Sequence, residues 1–421
     1  MKRPSVWNRN FCLLSTATIF GAAGGIAARY AMSFLVYEET ESVLASALVL
    51  CVQLIPAFLL PLVAGPVFDR HSRKKALCLG DAANGLLYLA MGIYLLNAPF
   101  TYVGYLFFSL LLACVGALDE LAFTSILPMC LSKGTEQKSY AVTNMIYPFL
   151  NGVMMPAGAW LMKVLGIPWI LIAQGFLSFA ACLIESRMKL LQDVPDPGKS
   201  FSFTQWSRDL KEAWDYLRHE KGILSFFVYS AFGGGISQGE YPVLVAFFST
   251  APGFSPLLFS WFAAAESIGR VLGGFGLYAK EMQPKKKFGF SIFVFVTYQL
   301  MDACLLFLRY PWMLANRCLC GALGMTSATI RESAVQSYIP ERMRARINSF
   351  STLLYNLVPS ILMLLIGWMA DHMAAGLVMV ICSILEFTAL CFTWILHRKA
   401  CEHVFLDAVG SDELQECLSE A

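Results

Sequence analysis

Long apolar stretches alternate with short polar connections along nearly the whole chain. Each stretch runs for about 20 residues or more, the length a helix needs to cross a hydrocarbon layer about 30 Å thick. Reading them in order predicts spans at 11–37, 43–68, 75–97, 101–130, 139–164, 166–187, 222–249, 255–280, 287–308, 310–336, 346–370 and 373–397. The pattern breaks once, at residues 188–221, where "DVPDPGKS" reads as a linker by its Pro and Gly. The stretch after it can open with a capping box, Ser202 to Gln205. Trp206, Leu210, Trp214 and Leu217 then form one helical stripe, which predicts an amphipathic helix lying on the inner membrane surface or a plain connector between halves. From Cys401 the chain reads as a short, acidic, mobile tail.

Composition sharpens the picture. Only 14% of the 421 residues are charged and 57% are hydrophobic, with a mean hydropathy of +0.60. A soluble domain carries about 25% charged residues, because its surface must be wetted. The chain is therefore expected to be an all-α membrane protein that crosses the bilayer many times. Net charge is +2, which offers no basic excess for nucleic acid. The 13 cysteines are scattered through apolar runs without a CxxC pair, so they read as packing residues rather than metal or disulfide sites. No cofactor is expected.

Lys and Arg fix the orientation. Lys163, at the end of its span, and Arg309 lie on one side, and Arg29, Arg270, Arg317 and Arg331 lie within spans. All the others fall on the opposite side, in alternate connections and at the ends. Short cytoplasmic loops retain such residues, so both termini are expected in the cytoplasm. The basic start followed by an apolar run resembles a signal peptide, but the run continues to about Tyr37 and reads as a first span.

The two halves repeat at a near-constant offset. Phe20-Gly21 matches Phe232-Gly233, Arg73-Lys74-Lys75 matches Lys285-Lys286-Lys287, and the Pro of "SILP" (Pro128) matches that of "SYIP" (Pro340). This predicts a six-helix bundle over 1–187, a cytoplasmic linker with the amphipathic helix over 188–221, a second bundle over 222–397 and a tail over 398–421. Repeats of this kind place a binding site at their interface and open it alternately to each side.

Between spans 2 and 3 lies "GPVFDRHSRKKA". With Gly65, Asp69, Arg70, Arg73 and Lys74 it resembles the G-x-x-x-D-R-x-G-R-R/K loop of the major facilitator superfamily, with Ser72 in place of the second Gly. The resemblance covers nearly the whole chain. It implies twelve helices in two pseudo-twofold-related halves, and a secondary transporter rather than an enzyme. "DRHSRKK", "DLKEAWDYLRHEKGIL" and "IPERMRARINS" bring it closest to the bacterial branch of macrolide-efflux and enterobactin-exporter proteins. The resemblance implies a monomer in the bacterial cytoplasmic membrane. It also implies that the loop latches the halves on the cytoplasmic side, with Asp69 facing the start of span 11 and Arg344 or Arg346. Two departures weaken the likeness to proton-coupled exporters. Ala113 stands where many carry an Arg before Gly116, and "GVMMPAGAW" keeps only Gly152, Pro156 and Gly158 of a longer Gly/Pro pattern.

An ionisable residue inside a span costs about 2.5–3.5 kcal/mol on insertion scales, so it marks a partner, water or function. Arg29 and Glu240 occupy equivalent depths in spans 1 and 7 and are expected near each other, binding substrate and forming part of an outer gate. Glu266 and Arg270 share one face of span 8 and either neutralise each other or leave Glu266 to titrate. Asp119 and Glu120 are adjacent in span 4, so one of them is expected in the cavity. Asp302, Arg317 and Glu386 rank lower, and Arg331 reads as a gate or interface residue. The expectation is export of a small, largely apolar compound (a drug, macrolide or siderophore-like molecule), driven by the proton gradient. Uptake of a metabolite or lipid on the same fold, and a transport-inactive sensor or scaffold, are the alternatives. No Walker sequence supports ATP drive, and no nucleophile–base or metal constellation supports an enzyme.

Overall fold

In the computed structural model the described residues are 7–68, 72–131, 136–189, 203–279, 283–339 and 341–406. They are helical almost throughout. The helices are α1 (Arg9–Thr40), α2 (Val43–Phe68), α3 (Arg73–Asn97), α4 (Tyr102–Cys130), α5 (Glu136–Leu165), α6 (Ile167–Ser186), α7 (Phe203–Leu217), α8 (Lys221–Thr250), α9 (Pro256–Ala279), α10 (Pro284–Cys304), α11 (Tyr310–Tyr338), α12 (Glu341–His372) and α13 (Ala375–Leu390). The chain continues through a π-helical turn, Cys391–Ile395, into a last short helix, α14, over 398–406.

Every predicted span is a helix, and the observed ends lie a few residues from the expected ones. Seven of the described helices are long and apolar enough to cross a membrane on length and composition alone. Among the rest, α8, α9 and α11 carry Glu240, Glu266, Arg270, Arg317 and Arg331. Polar side chains lower a helix's hydropathy when it turns a face inward. Large apolar side chains such as Val103, Phe176, Phe307 and Phe392 are exposed, as contact with lipid requires.

Caps and turns set the helix ends. Asn8 accepts from the Phe11 amide at 2.9 Å to start α1, and Ser72 accepts from the Lys75 amide at 3.3 Å to start α3. Gly166, at φ +83°, makes the turn between α5 and α6. Pro148, Pro156, Pro242 and Pro359 sit inside α5, α8 and α12, which membrane helices tolerate when neighbours re-satisfy the freed carbonyls.

The chain divides into two compact units. One comprises 1–201 with 248–264, and the other 202–247 with 265–421. In the first, α3 and α6 approach closely at Gly85 and Gly175: a Cβ on Gly175 would stand 2.6 Å from Leu89 Cγ and 2.9 Å from the Gly85 carbonyl oxygen. Small residues let membrane helices pack backbone to backbone. Ala27, Ala31, Tyr88, Phe108 and Leu171 fill the core beside this crossing. The end of α8 and the start of α9 belong to the same unit. There the Tyr30 hydroxyl donates to the Pro256 carbonyl, and Phe34 and Phe248 meet Phe259 edge-on at 5.5 and 5.4 Å.

The second unit is built around Trp394, fully buried among Phe226 at 4.5 Å, Phe295 at 4.9 Å and Phe288 at 5.8 Å. One expectation changes here. The tail expected to be mobile from Cys401 instead packs over 401–406, with Cys401, Val404 and Phe405 in the core, because its apolar side chains complete the Trp394 cluster. Helix α7 turns Ala213 and Leu217 inward and sets Trp214 5.8 Å from Phe350 of α12. Leu217 and part of Trp214 are therefore covered by protein.

Candidate functional site

Each unit encloses cavities lined by ionisable side chains on otherwise apolar helices. In the first unit a cavity of about 320 Å³ lies among α1, α3, α4, α5 and α6. Arg29, Asp119 and Glu120 all line it. Both neighbours in α4 reach the cavity, not one of them as the 100° step between adjacent residues suggested; the space is wide enough to take side chains from two directions. The Asp119 carboxylate lies over Gly80 of α3, where a Cβ would come within 2.7 Å of Oδ1.

Two further carboxyls line the same cavity and were missed from sequence: Asp81 of α3 and Glu185 of α6, 8% and 4% exposed. Both sit on the seam between α3 and α6, where Cys78 Sγ meets the Cys182 carbonyl at 3.8 Å and Lys74 Nζ the Ser186 carbonyl at 2.6 Å. The signal was a lone acid in each apolar run, "LCLGDAANG" and "AACLIES". Gln174, nine-tenths buried one helical turn from Ser178, donates from Nε2 to Ser178 Oγ at 3.1 Å and to the Gly21 carbonyl at 3.3 Å.

The second unit holds two cavities, of about 320 and 610 Å³. Glu240 is buried and lines the smaller with Arg270. Arg270 binds Glu266 through two hydrogen bonds, Nη2 at 2.7 Å and Nε at 3.2 Å. The pair is thus formed along one helix face, and Glu266 meets Arg270 rather than lining the cavity. Arg331 lines both cavities; its guanidinium lies 4.5 Å over the Phe295 ring. Glu386 accepts from the Tyr229 hydroxyl at 3.3 Å, and that oxygen accepts from Gln299 Nε2 at 3.2 Å. Asp302 and Arg317 form a buried ion pair between α10 and α11.

Of the loop motif, Asp69 and Arg70 lie outside the described residues. Gly65 falls in the last turns of α2, and Arg344 and Arg346 in the first turns of α12. Lys74 Nζ donates to the carbonyls of Ser186 at 2.6 Å and Met188 at 2.8 Å. Arg73 Nη1 lies 3.9 Å from Met129 Sδ. Among the described residues no group of three or more His, Cys, Asp or Glu is arranged to hold a metal ion.

The Major Facilitator Superfamily sequence profile matches residues 11–361. The chain belongs to the major facilitator superfamily. No curated protein matches it in sequence. Solved structures do match in fold. A POT family transporter in complex with 5-aminolevulinic acid aligns with a TM-score of 0.73 at 10% identity, covering 93% of this chain and 96% of that one. A bacterial homologue of the human lysosomal transporter Spinster, inward-facing and unoccupied, gives 0.67 at 14% identity over 95% and 98%. A nucleoside transporter gives 0.66 at 13% identity over 91% and 99%. At such identities the likeness is one of fold, and the fold is that of this superfamily's transporters.

Proposed function

We propose that this major facilitator protein is a secondary transporter that exports a small, largely apolar compound by alternating access, in exchange for protons. The reading places it in a bacterial cytoplasmic membrane as a monomer with both termini inside, in the macrolide-efflux and enterobactin-exporter-like branch. One observation carries it. Apolar helices hold buried and half-buried carboxyls, Asp81, Asp119, Glu185 and Glu240, around cavities large enough for part of a small organic molecule. Charges in such positions are costly and persist where they bind or move something. Arg29 and Glu240 serve the substrate in this reading. The loop after α2, with Asp69 and Arg70, serves the cytoplasmic gate with Arg344 and Arg346.

The test is flux in proteoliposomes loaded with a panel of fluorescent lipophilic cations and macrolides, with and without a pH gradient. Efflux of at least one probe that rises when the acceptor side is acidified supports proton exchange. Flux indifferent to the gradient overturns the coupling, and binding without flux favours a sensor. Arg29→Ala and Glu240→Ala should each weaken probe binding; unchanged affinity and turnover in both removes them from the substrate site.

A further inference from the structure

The cavity of the first unit is out of electrical balance. Four carboxyl side chains line it, Asp81, Asp119, Glu120 and Glu185, against one guanidinium, Arg29. Asp81 and Glu185 are the most deeply placed of the four, each more than nine-tenths buried, and no salt bridge is formed to either among the described residues. Lys74 on α3 donates to the carbonyls of Ser186 and Met188.

Two carboxylates are both acceptors and can join only through a proton, as O–H···O. Two bare carboxylates buried at one cavity repel each other, which favours a proton on one of them. A metal could replace the proton, but the described acids do not form a ligand set. An independent feature points the same way. Gln174, 3% exposed, is oriented by its own amide hydrogen bonds, and its carbonyl oxygen Oε1 is left with no donor in the wall of the same cavity. Glu185 Oε2, Asp119 Oδ1 and Ser109 Oγ are likewise buried without a partner there. The Gln174, Glu185 and Asp119 oxygens are idle acceptors, and a wall holding them calls for proton donors to enter it.

We propose that Asp81 and Glu185 form a two-carboxyl proton site between α3 and α6, on the wall of the cavity that Asp119 also lines. The inference rests on the proton-exchange reading above and names where the exchanged proton is held. One proton is taken up as Asp81 and Glu185 close on each other through O–H···O. It leaves to cavity water, and the pair then separates as two carboxylates. The other titratable and charged groups around it are Lys74, Cys78 and Tyr88 on α3, Glu120 and Cys130 on α4, Cys182 on α6, Arg29 on α1 and Tyr147 on α5. Arg29 and Lys74 are the cations among these described groups.

Infrared titration of the purified full-length protein reads the site directly, through the C=O stretch of protonated carboxylic acid. The wild type should show a hydrogen-bonded acid band that disappears as pH rises. Asp81→Asn and Glu185→Gln should each remove it and cut the pH-gradient stimulation of probe efflux at least tenfold. A band that survives in the double variant overturns the proposal and leaves gradient-driven transport standing. A lost band with unaltered stimulation overturns it too. A wild type that shows the band without any gradient dependence overturns the exchange reading itself. Should the variants not fold, wild-type protein can be treated with dicyclohexylcarbodiimide, which adds to protonated buried carboxyls. Mass spectrometry should then find the adduct on Asp81 or Glu185, lost at high pH; labelling confined to other acids refutes the site.

Discussion

Lys74 of the loop motif is tied to Ser186: its ammonium donates to the Ser186 carbonyl at 2.6 Å and, two residues on, to that of Met188. It closes the C-terminal end of α6, where carbonyls lack intrahelical donors and the helix dipole is negative. Lys74→Met should lower stability by about 1 kcal/mol, measured as the thermal midpoint of purified protein in detergent. Lys74→Arg should restore most of it, since its donors reach the same oxygens.

The Asp302–Arg317 pair joins α10 to α11, with both side chains about 5% exposed. Arg317→Met strands a buried carboxylate and should cost about 3–5 kcal/mol. The double variant Asp302→Leu/Arg317→Met should recover most of that loss, since an apolar pair of similar volume needs no desolvation. Equal instability of the single and double variants would show that the pair does more than compensate its own burial.

Opposite signs are expected at two glycines. Gly175→Ala puts a methyl against Leu89 and the Gly85 backbone, and should destabilise by about 1–3 kcal/mol through overpacking. Gly289, on the exposed side of α10, has nothing within 4 Å of a would-be Cβ. Gly289→Ala should stabilise by about 0.5–1 kcal/mol, because alanine has less backbone entropy to lose on forming a helix. Paired melting curves check both.

Helix α7 supplies the last expectation. Leu217 is fully buried and Trp214 is 46% exposed beside Phe350. Leu217→Ala should cost about 2–5 kcal/mol, as for other buried large-to-small changes, even though the segment reads from sequence as a surface helix or connector. A loss below 0.5 kcal/mol, the scale of ordinary surface changes, would return α7 to the membrane surface.

The spans, the amphipathic helix and the family were legible from sequence, because they depend on local quantities: run length, the period of apolar residues and motif spacing. The pairing of Glu266 with Arg270 was legible for the same reason, since four residues along one helix fix which side chains meet. Asp81 and Glu185 were not. Each is one acid in an apolar run, and only the crossing of α3 over α6 at Gly85 and Gly175 brings them together. The Asp302–Arg317 pair likewise joins neighbouring helices, and the 401–406 segment enters the core only because Trp394 offers a surface to cover. Which helix crosses which, and with what rotation, is settled by side-chain packing between segments distant in the chain, and a one-dimensional pattern does not carry it.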